Sequence, residues 1–301
     1  MLALIAGSGR LPAAVAAAQP VPPLVCVLRG NPPEGLEPDI IFRLETLGSL
    51  IAMLQARGVR RLCLCGAVRR PEIDLGLIDD QTLPLVPELR AALRQGDDGA
   101  LRAALTIFER AGFEILGAHQ AAPELLPPVG VPTLAQPGPE AREEARLGEA
   151  AVAEMGARDL GQACVIREGR VIAREDEAGT DALLQRLVAV PRQPEPPSDP
   201  FNWAADAVGD LLGGAADWLS GEENGRETPK PSGILFKAPK PQQDRRADLP
   251  AIGPATVEGA ARAGLAGLVV EAQGVLVLDR PAVIAAADRA GLFLWIRERS
   301  G

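Results

Sequence analysis

Through the first 120 residues, short apolar runs alternate with segments of helical spacing. Leu2–Ala6 is an apolar run closed by Gly7, and the Ala-rich segment Leu11–Ala18 follows, so the order is strand, turn, helix. Leu24–Leu28 and Ile40–Leu44 read as two more strands. Leu47, Leu50, Ile51 and Leu54 recur at the spacing of one helical face, and Gly58 closes that helix. Leu62–Val68 is the next strand. Leu101, Leu105 and Phe108 mark a further helix ended by Gly112, and Phe113–Leu116 leads into Gly117-Ala118-His119. Short apolar strands alternating with helices predict a Rossmann-like α/β domain, a parallel sheet with helices on its faces.

The pattern changes after Ala121–Pro139, which holds six prolines and little periodicity. The domain boundary is placed there, giving an N-terminal domain over 1–134 and a C-terminal domain over 135–301. Glu140–Met155 is a charged, Ala-rich helix. Ala163–Ile166 and Val171–Ala173 flank Arg167-Glu168-Gly169-Arg170 as a hairpin, and Ala182–Val188 is a helix. Leu268–Val270 and Val275–Leu278 read as another strand pair, followed by a helix over Arg280–Ala290 and a last strand over Leu292–Ile296. This half is mixed α+β, so the whole chain is α/β in class with two domains.

Pro191–Ser232 stands apart as a Pro-rich insertion with 8 acidic and 3 basic residues. Within it, Phe201, Ala204, Ala205, Val208, Leu211, Leu212, Ala215, Trp218 and Leu219 form one apolar helical face. Packing on its own domain and contact with a membrane surface or acyl chain are both open. The acidic balance counts against anionic lipid, because interfacial helices favour Lys and Arg on the polar face.

Composition narrows the classes. The 301 residues are 47% hydrophobic and 24% charged, with 3% aromatic residues and no Tyr, so the core is aliphatic. A net charge of −9, from 31 Lys+Arg against 40 Asp+Glu, excludes a protein that coats nucleic acid. Cys26, Cys63, Cys65 and Cys164 are too few and scattered for a disulfide framework. Cys63 and Cys65 alternate on one face of a strand and read as small buried hydrophobes. Gly7-Ser8-Gly9-Arg10 and Pro12, Pro20, Pro22 and Pro23 interrupt the apolar start, so neither a signal peptide nor a spanning helix is expected. A reducing, cytoplasmic compartment fits.

Gly7-Ser8-Gly9 after the first strand is a candidate anion cradle or a plain tight turn. Pro12 stands where a dinucleotide fingerprint needs its third Gly, and Arg29 stands where the ribose-binding acid belongs. A nicotinamide oxidoreductase is therefore disfavoured. Gly96-Asp97-Asp98-Gly99 reads as a helix cap before a metal pair. His119, the single histidine, would have to serve any Ser-His-Asp hydrolase, and no G-x-S-x-G supplies the serine. The densest polar cluster runs from Lys237 to Asp248. Four cations (Lys237, Lys240, Arg245 and Arg246) and two carboxylates (Asp244 and Asp248) fall within twelve residues, among prolines. Lys and Arg suit phosphate, and an Asp holds a cation or orients water. The bland alternative is a solvated loop. Gly179-Thr180-Asp181 before a helix is a cap or an anion-binding turn.

Long stretches carry a family resemblance: LALIAGSGRLP, GDDGALRAALTIFERAGFEILGAH, LGQACVIREGRVIAREDEAGTDALL, LFKAPKPQQDRRADLPAIGPATV and AARAGLAGLVVEAQGVLVLDRPAVIAAADRAGLFLW. The sequence resembles the UDP-2,3-diacylglucosamine pyrophosphatases of alphaproteobacteria and their relatives, the type unrelated to metallophosphoesterases. Pro191–Ser232 departs from it, being longer than the family carries there. The resemblance implies lipid A biosynthesis in the cytoplasm and a homodimer; peripheral contact with the inner face of the inner membrane is left open beside it. It implies two domains with lipid bound between them, and a Mg2+-dependent attack of water on the α-phosphorus of UDP-2,3-diacylglucosamine. The products would be UMP and 2,3-diacylglucosamine 1-phosphate (lipid X). The aspartate of the family's K-A-P-K-P…D-L-P-x-I-G motif is its essential catalytic residue and is Asp248 here, also the candidate metal ligand. Lys237 and Lys240 would hold phosphate. Gly179, Thr180 and Asp181 would donate to the sugar phosphate, and Gly7, Ser8 and Gly9 would line the nucleotide side. The rival class is a non-catalytic nucleotide- or lipid-binding protein of the same fold.

Overall fold

The computed structural model describes residues 1–69, 72–92, 96–158, 160–189, 230–241, 243–246 and 248–299. The apolar helix expected within Pro191–Ser232 lies outside them.

In the first half, β1 (Leu2–Ala6), α1 (Leu11–Ala17), β2 (Leu24–Leu28), β3 (Ile40–Phe42), α2 (Leu47–Ala56), β4 (Arg61–Cys65), α3 (Val86–Ala92), α4 (Gly96–Arg110), β5 (Glu114–Leu116) and the short α5 (Ala118–Ala121) follow one another. The five strands are parallel in the order β3-β2-β1-β4-β5. Each strand divides its side chains between two cores, because successive Cβ atoms point to opposite faces. Ala3, Leu62 and Leu64 pack with Leu50, Leu54, Leu105 and Phe108 of α2 and α4. Leu4, Ala6, Cys63 and Cys65 pack with Val15 of α1 and with Ala118. Cys63 and Cys65 are thus the buried hydrophobes expected, and the hydrogen bond with Cys63, together with burial, raises the Cys65 thiol pKa. The strand expected over Leu62–Val68 stops at Cys65, where Gly66 adopts φ +92° and turns the chain.

The second half contains α6 (Pro139–Ala157), β6 (Ala163–Arg167), β7 (Arg170–Arg174), α7 (Gly179–Ala189), β8 (Ile234–Lys237), β9 (Ala251–Ile252), α8 (Pro254–Arg262), β10 (Gly267–Glu271), β11 (Leu276–Val277), α9 (Arg280–Ala290) and β12 (Phe293–Arg297). Its main sheet runs β12-β10-β8-β6-β7, with β12, β10 and β8 parallel and β6 antiparallel to both neighbours. One face is covered by α6, where Ala145, Val152 and Met155 meet Phe236 and Val269. The other is covered by α7, α8 and α9, whose Leu184, Val257 and Val283 meet Leu235 and Leu268.

The strand pair expected from Leu268–Val270 and Val275–Leu278 is corrected. Both edges of β10 are taken by β8 and β12, and β11 pairs in parallel with β9 in a separate two-stranded sheet. The turn after β10, with Gln273 at φ 58°, carries the chain away from that sheet. Leu249 and Leu276, from the β9–β11 region, are buried in the core of the first half beside Leu4 and Val15. Among the described residues, no helix is long and apolar enough to cross a membrane.

Candidate active site

The first sheet reverses its winding between β1 and β4, and a crevice opens there at the carboxyl ends of the strands. The Gly7-Ser8-Gly9 turn follows β1 and lies against the turn after β4. The Gly7 N–H donates to the Cys65 carbonyl (2.8 Å) and the Ser8 N–H to the Ala67 carbonyl (2.7 Å), while Ala67 N–H donates back to Ser8 (3.0 Å). A Cβ on Gly7 would stand 2.4 Å from the Ala67 oxygen, so only Gly allows this approach. Of the candidate cradle Gly7-Ser8-Gly9, the N–H groups of Gly7 and Ser8 are taken by the neighbouring turn. Ser8 and Gly9 still line the crevice.

The crevice is a cavity of about 240 Å³ formed by both halves of the chain. The first half contributes Ser8, Gly9 and Arg10, and the loop after β8 contributes Arg245, Arg246 and Asp248. Asp248, half-buried, presents its carboxylate at this wall. Its Oδ2 accepts from Gln162 Nε2 (2.9 Å) and from Gln243 Nε2, two amide donors that fix its direction. Burial raises the Asp248 pKa above the ordinary carboxylate value, against the lowering influence of Gln162, Lys240, Lys237 and Gln243.

Lys237 ends β8 and is 8% exposed. Its Nζ donates to Thr180 Oγ1 (2.6 Å), whose hydroxyl donates to Glu175 Oε1. Glu175 Oε2 accepts the backbone N–H of Gln162 (2.5 Å), so the chain of contacts returns to the residue that holds Asp248. Burial lowers the Lys237 pKa, opposed by the carboxylates of Glu175, Asp248 and Asp181. Lys237, expected to hold phosphate, stands as a buried cation behind the carboxylate. Lys240, in the loop that follows, acts on Asp248 through its charge. Gly179, Thr180 and Asp181 do not precede a helix but form the first turn of α7. There Gly179 N–H donates to the Asp176 carbonyl (3.0 Å). Thr180 therefore enters the site through its side chain.

Neither Gln162 nor Glu175 is singled out by the sequence. Both flank the β6–β7 hairpin, far along the chain from Asp248, and only the strand pairing brings them there. Arg246 is committed elsewhere, to Asp244 (2.8 Å) and Glu109 (2.6 Å), the latter across the two halves. His119 lies beside this wall with its Nδ1 buried and unbonded among the described residues, its pKa lowered by burial and by Arg245. Among the described residues no serine hydroxyl bonds its Nδ1. Gly96 to Gly99 form the first turn of α4.

Among the described residues, no three His, Cys, Asp or Glu side chains converge as a metal cage. The donor set at the cavity is one carboxylate, Asp248, beside cations. That set fits a magnesium ion held mostly by phosphate oxygens and water, with a single protein carboxylate.

Comparison with known proteins covers nearly the whole chain. Residues 1–125 match the family described as LpxI N-terminal domain, and residues 128–295 match LpxI C-terminal domain. A curated relative from Caulobacter vibrioides, UDP-2,3-diacylglucosamine pyrophosphatase LpxI, is 37% identical over 298 residues, covering 97% of this chain and 96% of the relative.

Proposed function

The chain belongs to the LpxI family, and from that membership we propose that it is a hydrolase that splits the pyrophosphate of UDP-2,3-diacylglucosamine in lipid A biosynthesis. The observation that carries this reading is the single carboxylate, Asp248, pinned by two amides in a cavity whose other charged lining residues are Arg10, Arg245 and Arg246.

Water attacks the α-phosphorus. A bond forms from the water oxygen to phosphorus, and the bond to the bridging oxygen breaks, giving UMP and 2,3-diacylglucosamine 1-phosphate. The diphosphate repels an incoming oxygen, so the site must neutralise charge and align the water. Asp248 is the residue that would hold a magnesium ion, which when bound would supply charge neutralisation. In this reading Asp248 also orients the attacking water. Gln162 and Gln243 keep the carboxylate aimed. The buried Lys237 compensates its charge from behind through Thr180 and Glu175, and Lys240 adds positive potential. Ser8 and Gly9 form the nucleotide-side wall. Peripheral membrane contact belongs to the same reading. Its support is the two acyl chains of the substrate class together with the exposure of Leu75 (74%), Leu77 and Leu83 after β4.

Asp248→Ala is expected to lower turnover of UDP-2,3-diacylglucosamine by at least about a hundredfold while lipid binding survives. Release of UMP from labelled substrate in the presence of magnesium measures it. Turnover near that of the unsubstituted chain would remove the carboxylate from the mechanism.

A further inference from the structure

Two arginines face the same cavity from opposite halves of the molecule, and neither has a role so far. Arg10 follows the Gly7-Ser8-Gly9 turn of the first half. Arg245 lies in the loop after β8, three residues before Asp248. Both side chains are exposed, and among the described residues neither forms an ion pair. Their neighbour Arg246 shows the contrast, since it is consumed by Asp244 and Glu109 and can only brace the two halves. In a chain of net charge −9, two exposed guanidinium groups that form no ion pair among the described residues and face one cavity mark a place suited to an anion. Their placement on two separate halves marks an anion with two charged centres.

We propose that Arg10 and Arg245 form a divided clamp on the diphosphate, Arg10 holding the nucleotide phosphate and Arg245 the sugar phosphate. This rests on the pyrophosphatase reading and deepens it. The intact substrate engages both arginines because one ligand carries both phosphates. After hydrolysis the two phosphates belong to different molecules, and each product keeps one arginine. The clamp therefore discriminates substrate from either product by what joins the halves, without any contact to uracil or acyl chain. The guanidinium fork suits this role because it donates two parallel hydrogen bonds to a phosphate, which Lys does not.

The test is calorimetric binding of UMP and of 2,3-diacylglucosamine 1-phosphate to Arg10→Ala and Arg245→Ala, beside steady-state hydrolysis. Both side chains are exposed, so the variants keep the fold, and Arg170→Ala on the distant hairpin serves as the charge control. Arg10→Ala is expected to weaken UMP about tenfold or more and to leave the sugar phosphate within about twofold, and Arg245→Ala the reverse. Each is expected to reduce kcat/KM for the intact substrate about tenfold to a hundredfold. Equal weakening of both products by one variant, or no change beyond that of Arg170→Ala, overturns the clamp while hydrolysis by the unsubstituted chain keeps the reading beneath it. Absence of hydrolysis by the unsubstituted chain overturns that reading itself.

Discussion

At the scale of single residues, burial sets the chemistry of several charged groups, and one outside the site isolates the effect. Glu144 of α6 is 5% exposed and lies under the β6–β7 turn, whose Glu168 and Gly169 N–H groups it accepts. Burial raises its pKa, with Glu140 adding to the rise and Arg167 opposing it. A carboxyl whose folded pKa is raised contributes stability that is full below the unfolded value and is lost as pH climbs through the folded one. Glu144→Gln does not titrate there. Its Tm relative to the unsubstituted chain is therefore expected to be more favourable at about pH 7.5 than at about pH 4.5, a difference calorimetry reads directly. An unchanged offset between the two pH values would mean that burial of this carboxyl is not felt. Asp248 and the lysines were legible because they crowd twelve residues of chain between prolines. Gln162, Glu175 and the burial of Lys237 were not, since an amide and an acid on a distant hairpin carry no local signal.

Among the elements, the first sheet was readable strand by strand, because uninterrupted apolar runs and Gly stops mark it clearly. The second was harder. β8 is its central strand yet spans only four residues, Ile234–Lys237, too short to stand out beside the charged stretch it enters. β9 and β11 are two residues each, and their pairing depends on the third dimension alone. Close approach between elements also escapes a one-dimensional pattern. Gly148, in the middle of α6, lies against Phe236 of β8, and a Cβ there would meet ring and Cβ carbons at 2.4–2.6 Å. Helix propensity alone favours Ala at this position. Overpacking wins, and Gly148→Ala is expected to cost about 1–3 kcal/mol in urea unfolding. A stabilised variant would show that α6 sits further from β8 than described. The same displacement would move β8 and with it Lys237, so a loss of turnover should accompany the loss of stability.

Over the whole molecule, the two halves share a core rather than merely touching. Leu276 of β11 is fully buried among side chains of the first half, including Leu4 and Val15. Its removal costs transfer energy and leaves a cavity at the junction, about 2–5 kcal/mol for Leu→Ala. Calorimetry of the unsubstituted chain is expected to show one cooperative transition, and Leu276→Ala two, as the halves lose their common core. Two transitions in the unsubstituted chain would mean that the junction contributes little. The exposed Arg246–Glu109 pair spans the same junction but adds at most about 1 kcal/mol, so the apolar anchors dominate. The position of Leu249 has a further consequence. It follows Asp248 directly and is rooted in the opposite half. Drawing the carboxylate back from the nucleotide wall would drag a leucine out into water. Asp248 is therefore tethered to the opposite lobe, and parting the lobes would displace its carboxylate from the cavity.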